Sequence, residues 1–372
     1  MKIVHLIDSG GLYGAEKMLL SLSKEQIKQG LQPTILSCGV IGEGVKAIEQ
    51  EAKRLGIECI TWRMKAGLNI KGMHSIWRWV HSKGFTHVHS HGYKFNILLA
   101  LTRKAAVNIR LITTVHGYVA PKVFSRMWFY LHLDRWALLR LDNVVFVSKA
   151  MPSQAAFKSL KFKNTSVINN GMNFTLFSSE EKTEGDRVVD KLHCDDRLIG
   201  FVGRLSHEKG LDFLIQAFSR LRKDHPNIKL LLCGTGPSER ELRKRVKQLD
   251  LSSSVIFAGF VNDVASALKK IDIFVMPSLT EGMPMVLMEA IAAKKNIIAT
   301  KVGGMPEMLS DYKRSLLVPH GDAELLQDAI AAFLGDSKLV TGDVSQSVAA
   351  FSASRMAESY RSVYLDSIVG GV

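Results

Sequence analysis

The sequence predicts an α/β chain built as two parallel-sheet domains, and three observations carry that prediction. Short apolar runs alternate with amphipathic stretches of helical period along nearly the whole length, the pattern of repeated βα units with helices on both faces of a sheet. The alternation lapses once, near residues 170–192, where charges cluster in SSEEKTEGD (178–186), and then resumes. A lapse of that kind marks a linker. At 372 residues the chain is also too long for one ordinary core. The expected domains are 1–175 and 190–350, with a last helix in the segment 352–372.

Composition narrows the class. A hydrophobic fraction of 47% suits a globular protein with cores to fill, and no run of about 18 apolar residues that would span a membrane occurs. The opening MKIVHLIDSGG passes from one lysine through a short strand into glycines, so no signal peptide and a cytoplasmic location are expected. Cys38, Cys59, Cys194 and Cys233 are scattered without metal or redox spacing and read as reduced core residues. The net charge of +14 calls for an anionic partner: nucleic acid, acidic lipid or a phosphorylated substrate. No RRM, KH or helix-turn-helix pattern accompanies the charge, so nucleic acid is not the expected partner.

In the first half, residues 2–7 read as a buried strand and 15–29 as an amphipathic helix closed by Gly30. Between them lies DSGGLYG (8–14), where Gly11 and Gly14 can let the backbone approach a ligand and point N–H groups at it. The loop is neither a G-x-G-x-x-G dinucleotide fingerprint nor a P-loop, which would need a lysine and a hydroxyl after the last glycine. Further strands are expected at 33–37, 58–61, 86–90, 110–115 and 143–147. Two of them end in histidine-bearing loops, HVHSHG (87–92) and TVHGY (114–118). The first puts three imidazoles on one face of a strand, but no neighbouring carboxylate or cysteine completes a set of metal ligands, and no metal is expected. His116, at a strand's carboxyl end and followed by glycine, is placed to meet a substrate; a satisfied structural histidine is the alternative.

Two stretches mix aromatic and basic residues. One is APKVFSRMWFYLHLDRWALLR (120–140), the other 62–83, with Trp62, Trp77 and Trp79 among arginines and lysines. Such a helix can lie in a bilayer interface with its apolar face down, or bury its aromatics and leave its cations solvated.

The second half restarts at 197–202, with strands expected near 229–233, 254–257, 271–276, 296–300 and 315–318. The first runs into GRLSHEKG (203–210), where Gly203 permits close approach. Arg204 and Lys209 there supply an arginine fork and a lysine point charge at a helix entrance, as a diphosphate requires when no metal neutralises it. The second strand ends in GTGP, beginning at Gly234. The stretch LTEGMPMVLMEAIAA (279–293) puts Glu281 on a loop at a strand's carboxyl end and Glu289 about one turn into the following helix. A helix N-terminus offers N–H groups and the positive end of a dipole to an anion. Two carboxylates beside it suit a ligand with a phosphate and hydroxyl-rich arms, which describes a nucleotide sugar. All these loops lie on the carboxyl edge of one sheet, where open α/β sheets bind ligands.

FVGRLSHEKG, LLCGTGP, FAGFV, PSLTEGMPMVLMEA and TKVGGMPE, in that order, resemble the donor domain of the retaining glycosyltransferase family 4, and the N-terminal glycine loop with TVHG resembles its acceptor domain. The resemblance implies the GT-B fold: two Rossmann-like domains facing across a deep cleft, with the last helix crossing back to the first. It implies that Arg204 and Lys209 hold the donor diphosphate, Glu289 the ribose hydroxyls, and Glu281 the hydroxyls of the transferred sugar. Gly282, Met283, Pro284 and Met285 would bring backbone N–H groups to sugar and phosphate, Gly11 would approach the phosphate, and His116 would contact the sugar. The base would lie near Gly259 and Phe260. No cofactor and no metal are implied, only a nucleotide-sugar donor, a UDP-sugar being favoured, and a glycan or lipid-linked acceptor. With the positive charge, this suggests peripheral contact with an anionic membrane in polysaccharide or lipopolysaccharide synthesis. Alternatives are an epimerase or hydrolase on the same fold, or a non-catalytic nucleotide-sugar-binding scaffold. An NAD-dependent oxidoreductase lacks its fingerprint here.

Overall fold

The apolar runs fold as strands, and those inside each sheet are buried on both faces, as a parallel sheet covered by helices requires. The structure, a computed structural model, describes residues 1–8, 10–118, 123–174, 197–335 and 345–369. The chain forms two compact units, Met1–Met172 with Phe351–Val372, and Asn173–Ala350. The charged cluster 178–186 and Cys194 lie outside the described residues.

The first unit holds a seven-stranded parallel sheet. Its strands are β1 (Lys2–Ile7), β2 (Gln32–Val40), β3 (Cys59–Met64), β4 (His87–Ser90), β5 (Arg110–Val115), β6 (Asn143–Phe146) and β7 (Thr165–Val167), in the spatial order β3-β2-β1-β4-β5-β6-β7. Helices α1 (Gly14–Lys28), α2 (Ala47–Arg54), α3 (Ile70–Ser82), α4 (Tyr93–Leu101) and α5 (Arg126–Leu138) connect them. Strand β7 was not expected from the sequence. It is a three-residue edge strand with exposed or half-buried side chains, so no apolar run announces it.

The second unit holds a six-stranded parallel sheet of β8 (Arg197–Val202), β9 (Ile228–Cys233), β10 (Val255–Gly259), β11 (Ile273–Met276), β12 (Asn296–Thr300) and β13 (Ser315–Val318), in the order β10-β9-β8-β11-β12-β13. Its helices are α6 (Leu211–Leu221), α7 (Glu239–Gln248), α8 (Val264–Lys270), α9 (Met285–Ala292), α10 (Met305–Leu309), α11 (Ala323–Gly335) and α12 (Ser345–Ala350). Phe201, Leu214, Phe218, Leu230, Leu232, Val275 and Ile298 are fully buried at the centre of its core.

The last helix, α13 (Ala353–Val369), belongs to the first unit and packs on α1. Met172 donates its amide to the Phe351 carbonyl at 2.9 Å, and Ala353 donates to the Met172 carbonyl at 3.0 Å. Tyr360 and Tyr364 are then buried completely. Both sheets have a point where the strand order reverses, between β1 and β4 and between β8 and β11. At such a point neighbouring loops leave in opposite directions and open a crevice at the carboxyl ends of the strands.

The two aromatic-basic stretches part company in three dimensions. In 62–83 the aromatics are packing residues: Trp77 is buried and donates its indole N–H to Thr102 Oγ1 at 2.8 Å, while Trp79 lies against Trp62 and Phe85. On α5 one side is buried through Leu131, Ala137 and Leu138, while Met127, Phe129 and Leu133 are exposed, as is Phe124 just before the helix, at 76%. Residues 120–122 of that stretch lie outside the described residues. No helix among the described residues is long and apolar enough to cross a membrane.

Candidate active site

The loops after β8 and β11 flank the reversal point of the second sheet, and they carry Arg204, Lys209 and Glu281. Past Val202 the chain makes a 3-10 turn at His207–Lys209 and enters α6 through Gly210, whose left-handed φ of 63° brings it against the Pro277 carbonyl, where no Cβ would fit. This turn delivers the Lys209 ammonium to Glu281, Nζ to Oε1, at 2.6 Å. Lys209 is 19% and Glu281 9% exposed at the side chain, so the pair is largely withdrawn from water. Ser278 donates its hydroxyl to the same Glu281 oxygen at 2.7 Å, and Thr300 donates to the Ser278 carbonyl at 2.5 Å. Leu279 donates its amide to the Glu208 carbonyl at 2.8 Å, tying the two loops together by backbone as well. Arg204 is exposed on the first of these loops.

Sequence reading placed Lys209 on the diphosphate and Glu281 on the sugar, but did not foresee their pairing. It also missed Ser278 and Thr300, whose only local signal is a hydroxyl beside each strand end. The third loop enters through Gly303, at φ 55°, packed so closely on the Glu281 carbonyl that a Cβ would collide with it. Gly304 then donates to the Gly282 carbonyl at 2.7 Å. Gly282, Met283, Pro284 and Met285 are all buried at the start of α9. Pro284 has no amide hydrogen, so it shapes this turn and cannot donate, which corrects the expectation of four N–H groups. Glu289 is buried in the second turn of α9. At the far edge Gly234 donates its amide to the Gly259 carbonyl at 2.6 Å, and Gly203 donates to the Cys233 carbonyl at 2.9 Å. Phe260, beyond Gly259, is 55% exposed.

In the first unit the glycine loop follows β1. Asp8 pairs there with Lys46 at 3.1 Å and Lys94 at 2.6 Å, two lysines from α2 and α4 entrances that sequence spacing did not connect. Gly11 is half-buried and Gly14 is the first residue of α1. The Tyr13 amide at that helix start donates to the Glu16 carboxylate at 3.0 Å, so the helix entrance is capped from within.

The histidine loops form one buried cluster, joined by His5 of β1. His5 Nδ1 meets His91 Nε2 at 3.0 Å, and His91 Nδ1 meets His116 Nε2 at 3.1 Å. His5 Nε2 meets Gln26 Oε1 at 3.0 Å. His89 lies between the Tyr364 and Thr114 hydroxyls, each at 2.8 Å, and His87 Nε2 reaches the Tyr364 carbonyl at 3.1 Å. Burial lowers the pKa of His5, His87 and His116 to about 4, and those of His89 and His91 well below the usual value. His5, His89 and His91 offer ligand atoms within 4.8 Å of one another, the set nearest to a metal site among the described residues. Both ring nitrogens of each are already hydrogen-bonded, so an ion would have to displace those partners. His116 is partly exposed as a residue, but its Nδ1 is enclosed without a hydrogen-bond partner.

Comparisons with known proteins agree with this architecture. An uncharacterized glycosyltransferase of Methanocaldococcus jannaschii is 35% identical over 177 residues, 45% of this chain and 44% of that protein. The lipopolysaccharide core biosynthesis mannosyltransferase LpcC of Rhizobium leguminosarum bv. viciae is 26% identical over 245 residues, 63% of this chain and 67% of that one. The alignment thus spans under half the length of the first relative and about two thirds of the second. Among solved structures, Anabaena HepE in complex with UDP and glucose superposes with a TM-score of 0.82 at 21% identity, over 98% of this chain and 100% of that one, which shows the GT-B fold. The family model described as Glycosyltransferase Family 4 matches residues 13–176, and that described as Glycosyl transferases group 1 matches 183–341. Between them these matches take in nearly the whole chain, and it belongs to the family 4 glycosyltransferases.

Proposed function

We propose that this protein is a retaining glycosyltransferase that moves a sugar from a nucleotide-sugar donor, a UDP-sugar, to a glycan or lipid-linked acceptor. The observation that carries the reading is the pairing of Lys209 with Glu281 across two loops that flank the reversal point of the second sheet, with Arg204 exposed on the first of them. A leaving nucleoside diphosphate develops negative charge as the bond to the anomeric carbon breaks, and a guanidinium and an ammonium held there stabilise it. Glu281 is placed beside Lys209 to take hydroxyls of the transferred sugar. Its carboxylate orients the sugar rather than attacking it; the acceptor approaches from the leaving-group side and the departing phosphate takes its proton. Glu289 serves the ribose hydroxyls, Gly259 and Phe260 the base, Gly11 the phosphate and His116 the sugar. Two cationic side chains serve the diphosphate without a metal.

The acceptor class rests on charge and on kinship. LpcC acts in lipopolysaccharide core biosynthesis. The exposed apolar face of α5, with Arg126 beside it and a chain charge of +14, suits peripheral binding to an anionic bilayer on its cytoplasmic side.

Calorimetric titration with UDP, GDP and ADP, without added metal, tests the donor site. Binding of UDP alone is expected. Binding of another nucleotide alone moves the donor class, and binding of none removes the diphosphate site and favours a scaffold. Transfer from the matching nucleotide sugar, with the anomeric configuration of the product read by NMR, separates retention from inversion and transfer from hydrolysis.

A further inference from the structure

The buried histidines of the first unit form a directed chain, and its direction follows from one amide. Gln26 donates its side-chain N–H to the Tyr364 hydroxyl at 3.2 Å. That leaves its carbonyl oxygen, which can only accept, facing His5 Nε2 at 3.0 Å. His5 Nε2 therefore carries a hydrogen. In a neutral ring the other nitrogen is then bare, so His5 Nδ1 accepts, and His91 Nε2 at 3.0 Å must donate to it. The same step repeats: His91 Nδ1 is bare, and His116 Nε2 at 3.1 Å donates to it. The last atom in the chain is His116 Nδ1, left with a lone pair and no partner.

Neutrality of the three rings is what burial enforces. Among the described residues, the polar groups bonded to these rings are Gln26 and one another, the His89 ring lies against His5 and His91, and no carboxylate is hydrogen-bonded to any of the three. A charge placed there would be unpaired, and all three pKa values are lowered. The orphan acceptor at the end of the chain is costly unless something binds to it, because a buried unsatisfied polar atom loses its hydration without recompense.

We propose that Gln26, His5 and His91 are positioning residues that hold His116 in a single tautomer, with Nε2 protonated and Nδ1 a fixed acceptor for a hydroxyl of the transferred sugar. This rests on the reading of His116 as a sugar contact. A histidine able to change tautomer would present a donor or an acceptor in turn; here three buried residues, on α1, on β1 and just past β4, settle which. The arrangement also explains why a fully buried glutamine on α1 and a tyrosine on α13 are bonded to each other across 338 positions of the chain. Their contact sets the sense of the whole row.

The test combines a spectroscopic and a kinetic readout on the full-length protein. In the unliganded protein, nitrogen-15 NMR of labelled histidines is expected to show His5, His91 and His116 each neutral at pH 7.5, with Nε2 protonated and Nδ1 bare. His5→Phe removes the acceptor for His91. It is expected to give mixed tautomers at His116 and to lower kcat/KM for the nucleotide sugar about tenfold or more, with the Kd for the free nucleotide unchanged. His5→Asn, whose side-chain oxygen replaces the bare Nδ1, is expected to restore both the tautomer and most of the rate. A protonated Nδ1 at His116 in the wild-type protein overturns the proposal, as does a His5→Phe variant with an unchanged His116 signal and unchanged rate. Equal loss in His5→Phe and His5→Asn would assign His5 to packing alone. Metal bound by the purified protein at His5, His89 and His91, found by elemental analysis, also overturns it, because a ligated nitrogen passes no hydrogen bond along the row. Failure of the functional reading is distinct: no nucleotide binds, while the NMR result stands by itself.

Discussion

Lys209 and Glu281, 72 positions apart in the chain, form an ion pair with Nζ 2.6 Å from Oε1, at the reversal point of the second sheet. The pair joins the residue proposed for the diphosphate to the one proposed for the sugar. Each holds the other in place, and in the proposed reaction a donor molecule would bring to Lys209 a second anion and to Glu281 a set of hydroxyl donors.

Removing either cation tests the leaving-group role. Lys209→Ala and Arg204→Ala are each expected to lower turnover at least about tenfold, the loss of one charge-assisted contact to a developing anion. Steady-state rates with saturating donor measure this. Near-normal rates in both variants would remove these residues from the mechanism.

Glu281→Gln separates the two halves of the pair. The amide keeps a hydrogen-bonding oxygen for Lys209 but no charge, so the ammonium faces an incoming diphosphate without competition. Nucleotide binding is expected to stay the same or tighten severalfold, while kcat falls about tenfold to a hundredfold through loss of a charged contact to the sugar. Weaker nucleotide binding in step with kcat would show that Glu281 serves only to place Lys209.

Gly303 is a backbone requirement of the site. Its φ of 55° and its closeness to the Glu281 carbonyl leave no room for a Cβ. Gly303→Ala is expected to destabilise the second unit by about 1–3 kcal/mol and to displace Glu281, with a loss of activity larger than the loss of folded protein. Gly335→Ala, where a Cβ meets nothing within 4 Å, is the matched substitution and is expected to be silent. Thermal melting and specific activity, measured together, check both.

The buried histidines predict an acid limit. Their folded pKa values are depressed from 6.5, to about 4 for His5, His87 and His116 and well below the usual value for His89 and His91. The unfolded chain therefore binds protons first on acidification, so this stability is present above pH 6.5 and is lost as pH falls from 6.5 toward 4. Each histidine contributes up to about 1.4 kcal/mol per pH unit in that window. Asp134 opposes them: burial raises its pKa from 3.8 to about 6, so its proton stabilises the fold below that value. Five groups outweigh one, and the first unit is expected to lose on the order of 5 kcal/mol between pH 7.5 and 5.5. Urea unfolding at the two values, followed through tryptophan fluorescence, measures it. All five tryptophans (62, 77, 79, 128 and 136) lie in this unit.

The outward face of α5 predicts membrane binding. The double variant Phe124→Ser, Phe129→Ser is expected to bind vesicles of anionic lipid at least about tenfold more weakly at low salt, with transfer to a soluble acceptor analogue unchanged. Raising the ionic strength is expected to weaken the wild-type protein as well, through screening of its basic charge. A wild-type protein that ignores such vesicles at low salt would leave this face unexplained.

Much of this architecture is local in origin and could be read from the sequence. Strands such as β8, β11 and β12 announce themselves by short apolar runs, because both faces of a parallel sheet must be dry. The glycines at 203, 234 and 303 mark turns whose backbone admits no side chain. Twofold repetition of the βα pattern determined the fold class and the second-half loops that carry Arg204, Lys209, Glu281 and Glu289. What the tertiary structure alone decided is which of these groups touch. The Lys209–Glu281 pair, the two lysines on Asp8, and the row from Gln26 through His5 and His91 to His116 join residues from different strands and helices. Their contacts depend on strand order and register, which no local period encodes. The same holds for the two aromatic stretches, alike in composition, one packing its tryptophans inward and the other leaving Phe124 and Phe129 exposed. Composition sets what a segment can bury, and only the packing of its neighbours decides what it does bury.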